Sequence, residues 1–133
     1  MENYNFQPIP PEVEKTGKAI LDSAFKVHTA LGPGLLEVVY ETALIYELRK
    51  QNHSVKNQVL IPIEYDGQPL NGGLRCDLVV ENSVIVELKA VEKMNPLYEA
   101  QLLTYLKLTG IRLGYLINFN VPHLKSGIKR IIC

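Results

Sequence analysis

Asp77, Glu87 and Lys89 stand among apolar neighbours, in the runs Cys76-Asp77-Leu78-Val79-Val80 and Val84-Ile85-Val86-Glu87-Leu88-Lys89. Successive side chains of a strand point to opposite faces, so Ile85, Glu87 and Lys89 share one face and Val84, Val86, Leu88 and Ala90 the other. A carboxylate and an ammonium are thereby neighbours. Whether Asp77 joins them depends on the hairpin register. A two-residue loop at Asn82-Ser83 opposes Asp77 to Leu88 and separates the acids, whereas a three-residue loop at Glu81-Asn82-Ser83 opposes Asp77 to Glu87. The three-residue loop is expected, with both acids on one side. Two carboxylates beside a lysine suit a hard divalent cation, magnesium or manganese, which takes a few carboxylate oxygens plus water and substrate phosphate. Lys89 could then hold an attacking water or offset developing negative charge. The plainer alternative for this spacing is a solvated strand face on which Lys89 only neutralises Glu87.

The elements that must position these groups follow from periodicity and punctuation. Residues 1–11 carry Pro8, Pro10 and Pro11 and read as an extended arm, leaving 12–133 as one domain. Val13, Ile20, Leu21, Ala24, Val27 and Leu31 fall at helical spacing and end at Gly32-Pro33-Gly34. A second helix is expected from about Leu35 to Gln51, with Arg49-Lys50 in its last turn. Val55 to Tyr65 reads as a strand, Asp66-Gly67 as a hairpin turn, and Leu74 to Val80 and Val84 to Ala90 as the next strands of an antiparallel meander. Asn95-Pro96 starts a helix that ends at Gly110, and strands follow at Arg112 to Phe119 and Ile128 to Ile132. The third strand, that helix and the next strand form a β-α-β unit, whose two strands should be parallel neighbours. The expected class is α/β, a mixed sheet flanked by helices in the order ααβββαββ.

Composition narrows the function. In 133 residues, 47% hydrophobic and 21% charged is the balance of a globular chain. Fourteen basic residues balance fourteen acidic ones, so no global positive field attracts nucleic acid, and any such binding must be local. Cys76 and Cys133 give no disulfide framework or structural zinc motif, and His28, His53 and His123 lack metal-ligand spacing. No stretch approaches a membrane span, and the cytoplasm is the expected location.

Four motifs in order add a family. Gly34-Leu35-Leu36-Glu37-Val38-Val39-Tyr40, then Asp77, then Glu87-Leu88-Lys89, then Gln101-Leu102-Leu103-Thr104-Tyr105 resemble the PD-(D/E)XK nuclease superfamily, and within it the GxxExxY protein family. The resemblance runs from about Glu12 to Ile132 and departs at Cys76, where the superfamily's name has Pro. It implies a restriction-endonuclease-like core and a metal-dependent phosphodiester hydrolase acting on DNA. Asp77 and Glu87 would bind the metal, with Glu37 reaching the same site from the second helix, and Lys89 would assist the water. Gln101, Tyr105 and Tyr40 are the candidates for substrate contact; the bland reading of either tyrosine is a packed ring using its hydroxyl locally. Three acids gathered in one place should raise at least one carboxylate pKa. The alternative function is a nuclease-fold module of little or no activity that docks on a protein or forms a homodimer.

Overall fold

The computed structural model describes residues 7–133, so the first six residues of the expected arm lie outside it. Pro11 belongs to the first helix, α1 (Pro11–Leu31), rather than to the arm. Its missing N–H costs nothing at a helix's first position. Ahead of it, the Arg112 guanidinium donates to the carbonyls of Gln7 and Pro8. Helix α2 spans Glu37–Lys50 and α3 spans Pro96–Thr109. The Asn95 side chain caps α3 by accepting from the Leu97 N–H at 2.9 Å, and Gly110, at φ +75°, closes it in the left-handed conformation.

Among the described residues the five expected strands occur in order, with a two-stranded hairpin added between the first and second. The main sheet runs β1 (Val55–Ile61), β4 (Leu74–Val80), β5 (Val84–Lys89), β6 (Leu113–Asn118) and β7 (Ile128–Ile132) across its width. All neighbours are antiparallel except β5 and β6, the parallel pair joined by α3. The single strand expected over Val55 to Tyr65 is broken after Ile61, where Pro62 has no N–H for the ladder. Beyond it, β2 (Glu64–Tyr65) and β3 (Gln68–Pro69) form a separate small hairpin around Asp66-Gly67, both at positive φ.

Helices cover both faces of the sheet. On one, Ile20 and Ala24 of α1 and Leu44 and Leu48 of α2 pack on Leu78, Val80, Val84, Val86 and Leu88. On the other, Leu102, Tyr105 and Leu106 of α3 pack on Ile61, Cys76, Val79, Ile85 and Leu116. This two-sided burial explains why β5 and β6 read as nearly continuous apolar runs. The buried Asn118 ties the chain leaving β5 to the end of β6: its side chain accepts from Val91 N–H at 3.1 Å and donates to Val91 O at 2.9 Å.

Candidate functional site

The β4–β5 hairpin has the three-residue loop. Val80 pairs with Val84, Val79 with Ile85 and Leu78 with Val86, and the same register carried one step further sets Asp77 opposite Glu87. Glu81 and Asn82 turn the corner in the left-handed region, at φ +53° and +51°. At the next position the carboxylates replace the backbone ladder. The Asp77 N–H donates to Glu87 Oε1 at 2.8 Å, and the Leu88 N–H donates to Asp77 Oδ2 at 2.8 Å.

The strands bend at this point. Leu78 and Val80 face α1 and α2, yet Cys76 packs on the α3 side together with Val79, three positions away, so strict alternation slips at Asp77. The partner strand slips opposite it: Asn57 pairs with Leu78 and Val59 with Cys76, while Gln58 between them adopts φ +51°. The Gln58 amide donates to both carboxylate oxygens of Glu41, at 3.1 and 3.2 Å, and to Asp77 Oδ1 at 3.3 Å.

Electrostatics follow this geometry. Glu87 is only 4% exposed, and burial together with the repulsion of Asp77 raises its pKa from 4.5 to about 8, against the opposing pull of the Asp77 N–H and Lys89. Glu37, the first residue of α2, is raised by partial burial and then by Asp77, with Lys89 pulling it down and Glu41 pushing it up. Those mutual influences place Glu37, Glu41, Asp77, Glu87 and Lys89 in one electrostatic neighbourhood. The Lys89 ammonium lies over the Tyr98 ring, 4.3 Å from its centroid.

A family model for the PD-(D/E)XK nuclease superfamily matches residues 14–131. The chain belongs to the PD-(D/E)XK nuclease superfamily. A solved structure, the crystal structure of SSO0001, is similar with a TM-score of 0.54 and 21% identity over 91% of this chain. The chain spans 59% of the length of SSO0001, and at that identity the likeness shows the fold alone. No curated protein matches the sequence.

Within this PD-(D/E)XK chain the two motif tyrosines lie on opposite faces of the sheet, Tyr105 on the α3 side and Tyr40 on the α1/α2 side. Tyr105 is almost wholly buried, donates to Arg75 O at 3.0 Å, and has its pKa pushed up to about 12 by burial and then by Glu87, Cys76 and Asp77. Gln101, one turn earlier on α3, is half-buried. Tyr40 stacks on Phe119 with ring centroids 4.6 Å apart; its hydroxyl donates to Gly32 O at 2.6 Å and accepts from Leu35 N–H at 3.1 Å. Its contacts therefore fix the Gly32-Pro33-Gly34 loop ahead of Glu37. Cys76, in the place of the superfamily's Pro, is buried, and its thiol is pushed up to about 11 by burial and the adjacent acids. Gln58 and Glu41 were not expected from the sequence. The only signal for Gln58 was a polar pair, Asn57-Gln58, in the middle of an otherwise β-forming segment.

Nucleases of this superfamily use divalent metal ions in general. Among the described residues no three His, Cys, Asp or Glu side chains form a ready-made metal cage. Magnesium does not require one, since one or two carboxylates plus water and substrate phosphate satisfy it. The donor set fits such an ion: the oxygens are hard, and the buried Glu87 is repelled by Asp77 in a way that a cation would relieve. Lys129 pairs with Glu99 and Arg130 with Glu14, so two of the three basic residues near the C-terminal end are committed to ion pairs. No helix among the described residues is long and apolar enough to cross a membrane.

Proposed function

We propose that this protein hydrolyses phosphodiester bonds in nucleic acid, with DNA as substrate, using magnesium or manganese held by Asp77 and Glu87. The observation that carries the reading is the reciprocal pair of carboxylate–backbone hydrogen bonds at the end of the β4–β5 ladder, which fixes both acids at the same level of the sheet. A bound ion would supply Lewis acidity toward the phosphoryl oxygen and lower the pKa of a coordinated water. The chain's own residues do the rest. Glu87 is displayed from a buried strand with one oxygen held by the Asp77 N–H, so its orientation is set before any ligand arrives. Lys89, two residues on and less buried, orients the attacking water and offsets charge on the phosphate. Glu37 adds a third carboxylate from the start of α2, and Gln101, with Tyr105 buried behind it on α3, shapes the wall along which the substrate backbone lies, while Tyr40, on the opposite face of the sheet, holds the loop ahead of Glu37. The Gly34-x-x-Glu37-x-x-Tyr40 spacing supports assignment to the GxxExxY group, and we place the activity in the cytoplasm.

The test is metal-dependent nicking of supercoiled plasmid by the wild type and by Lys89→Ala. Cleavage with magnesium or manganese, abolished by chelator and lowered at least about a hundredfold in the variant, is the expected result. Equal cleavage by both proteins, or none by the wild type with either metal, overturns the reading.

A second reading, a nuclease-fold module that forms a homodimer, is favoured by one observation. Between α1 and α2 an open groove of about 630 Å³ is lined by Val27, Leu31, Val38, Val39, Ala43 and Tyr46. Val38 and Tyr46 are mostly exposed. Sedimentation velocity of the wild type and Val38→Glu distinguishes a dimer seated on this face from a monomer.

A further inference from the structure

We infer that Gln58 is a positioning residue for Asp77, delivered to it by a left-handed residue in the middle of a strand. The inference deepens the metal-site reading above and rests on it for the role of Asp77, but its first readout needs no metal.

Three observations converge on this residue. First, Gln58 sits at φ +51° inside β1, where an extended residue would complete the ladder. A non-glycine side chain holds that conformation only when something compensates for it. Second, the break is local and matched: pairing is regular at Asn57–Leu78 and at Val59–Cys76, and only the intervening Gln58 and Asp77 are skipped. Third, the side chain so displaced reaches two acids on different elements, Glu41 of α2 and Asp77 of β4. Ionised carboxylates only accept hydrogen bonds, so the amide must present its NH2 group to them. One neutral donor thus links two like charges that would otherwise push apart.

The consequence falls on the Asp77 carboxylate. Its Oδ2 takes the Leu88 N–H and its Oδ1 takes the Gln58 amide, so the group is held at both oxygens and cannot rotate freely. Glu41 acts at one remove, anchoring the amide from α2 one helical turn after Glu37. Gln58 therefore acts through Asp77.

The experiment separates the backbone from the amide. Glycine adopts positive φ freely, so Gln58→Gly should fold with a thermal midpoint within about 3 °C of wild type while losing the amide. Gln58→Asn also tolerates the left-handed region, but its amide is one methylene short of spanning both acids. In the metal-free proteins, hydrogen exchange at the Leu88 amide should quicken roughly fivefold in both variants, as expected for loosening one hydrogen bond, while the ladder amides of Val84 and Val86 keep their rates. With manganese added, calorimetry should show several-fold weaker binding by either variant. Unchanged Leu88 exchange in a folded variant overturns the role of Gln58, whatever the protein does to DNA. A quickened Leu88 amide in a protein whose wild type binds no manganese instead sustains the positioning role and removes the metal-site reading.

Discussion

Replacing Glu87 with Gln should make the metal-free protein more stable at neutral pH and flatten its response to pH. The carboxyl is buried, and its pKa is raised from 4.5 to about 8. Below the unfolded value it is protonated in both states and contributes its full stability. As pH rises, the unfolded chain ionises first, the folded chain binds more protons, and stability falls until the folded group has also ionised. The window therefore runs from about pH 4.5 to about pH 8. With about 1.4 kcal/mol per unit of pKa difference, the loss at pH 7 is about 3 kcal/mol. Gln at this position keeps an oxygen for the Asp77 N–H and has no proton to lose. Urea unfolding of both proteins in chelator, followed from about pH 5 to about pH 8, should show the stability difference moving in favour of Glu87→Gln by about 3 kcal/mol. Millimolar magnesium should restore the wild type at the alkaline end and leave the variant unchanged. Parallel pH profiles for the two proteins would refute the assignment of this strain to Glu87.

Two structural predictions test the supports of the site. Tyr40→Phe keeps the stack on Phe119 but removes the hydroxyl bonded to Gly32 O and Leu35 N–H, and should cost about 1–2 kcal/mol in denaturant unfolding; a cost below a few tenths would show that the Gly32–Gly34 loop is held by other contacts. Gly127→Ala would place a methyl group 2.3 Å from the Asn118 carbonyl oxygen at the end of β6, and should lower stability by about 2–3 kcal/mol. An unaltered melting temperature would mean that the short 3-10 helix at Leu124–Gly127 shifts without penalty.

Much of the framework was written locally. Asn95-Pro96 and Gly110 bound α3, and β-α-β connectivity decided that β5 and β6 run parallel. The length of the Glu81-Asn82-Ser83 link was ambiguous by one residue, yet that one residue determines whether Asp77 and Glu87 meet. What stayed hidden depends on partners distant in sequence. Alternation predicts regular faces for β4, but the slip at Asp77 is paired with the left-handed Gln58, and no pattern within either strand announces it. The hydroxyls of Tyr40 and Tyr105 could have faced a substrate or the protein; their backbone acceptors, Gly32 and Arg75, become visible only after the helices pack. Pro62 was legible in principle, since a residue without an N–H has no place in a continuous ladder, and it divides the long apolar run.

The bend at Gln58 also bears on how the molecule avoids its own kind. β1 and β7 are the two borders of the main sheet, each offering a row of backbone donors and acceptors to any passing extended chain. On β7 the exposed Lys129 and Arg130, paired with Glu99 and Glu14, set charged groups along the border whose burial under a second strand would cost desolvation. On β1 the charge of Lys56 is followed two residues later by a backbone turned into the left-handed region, so the border lacks a straight run of seven extended residues for a second molecule to zip against. A kink that aims one amide at a carboxylate also interrupts a template for aggregation, and the two services share a single dihedral angle.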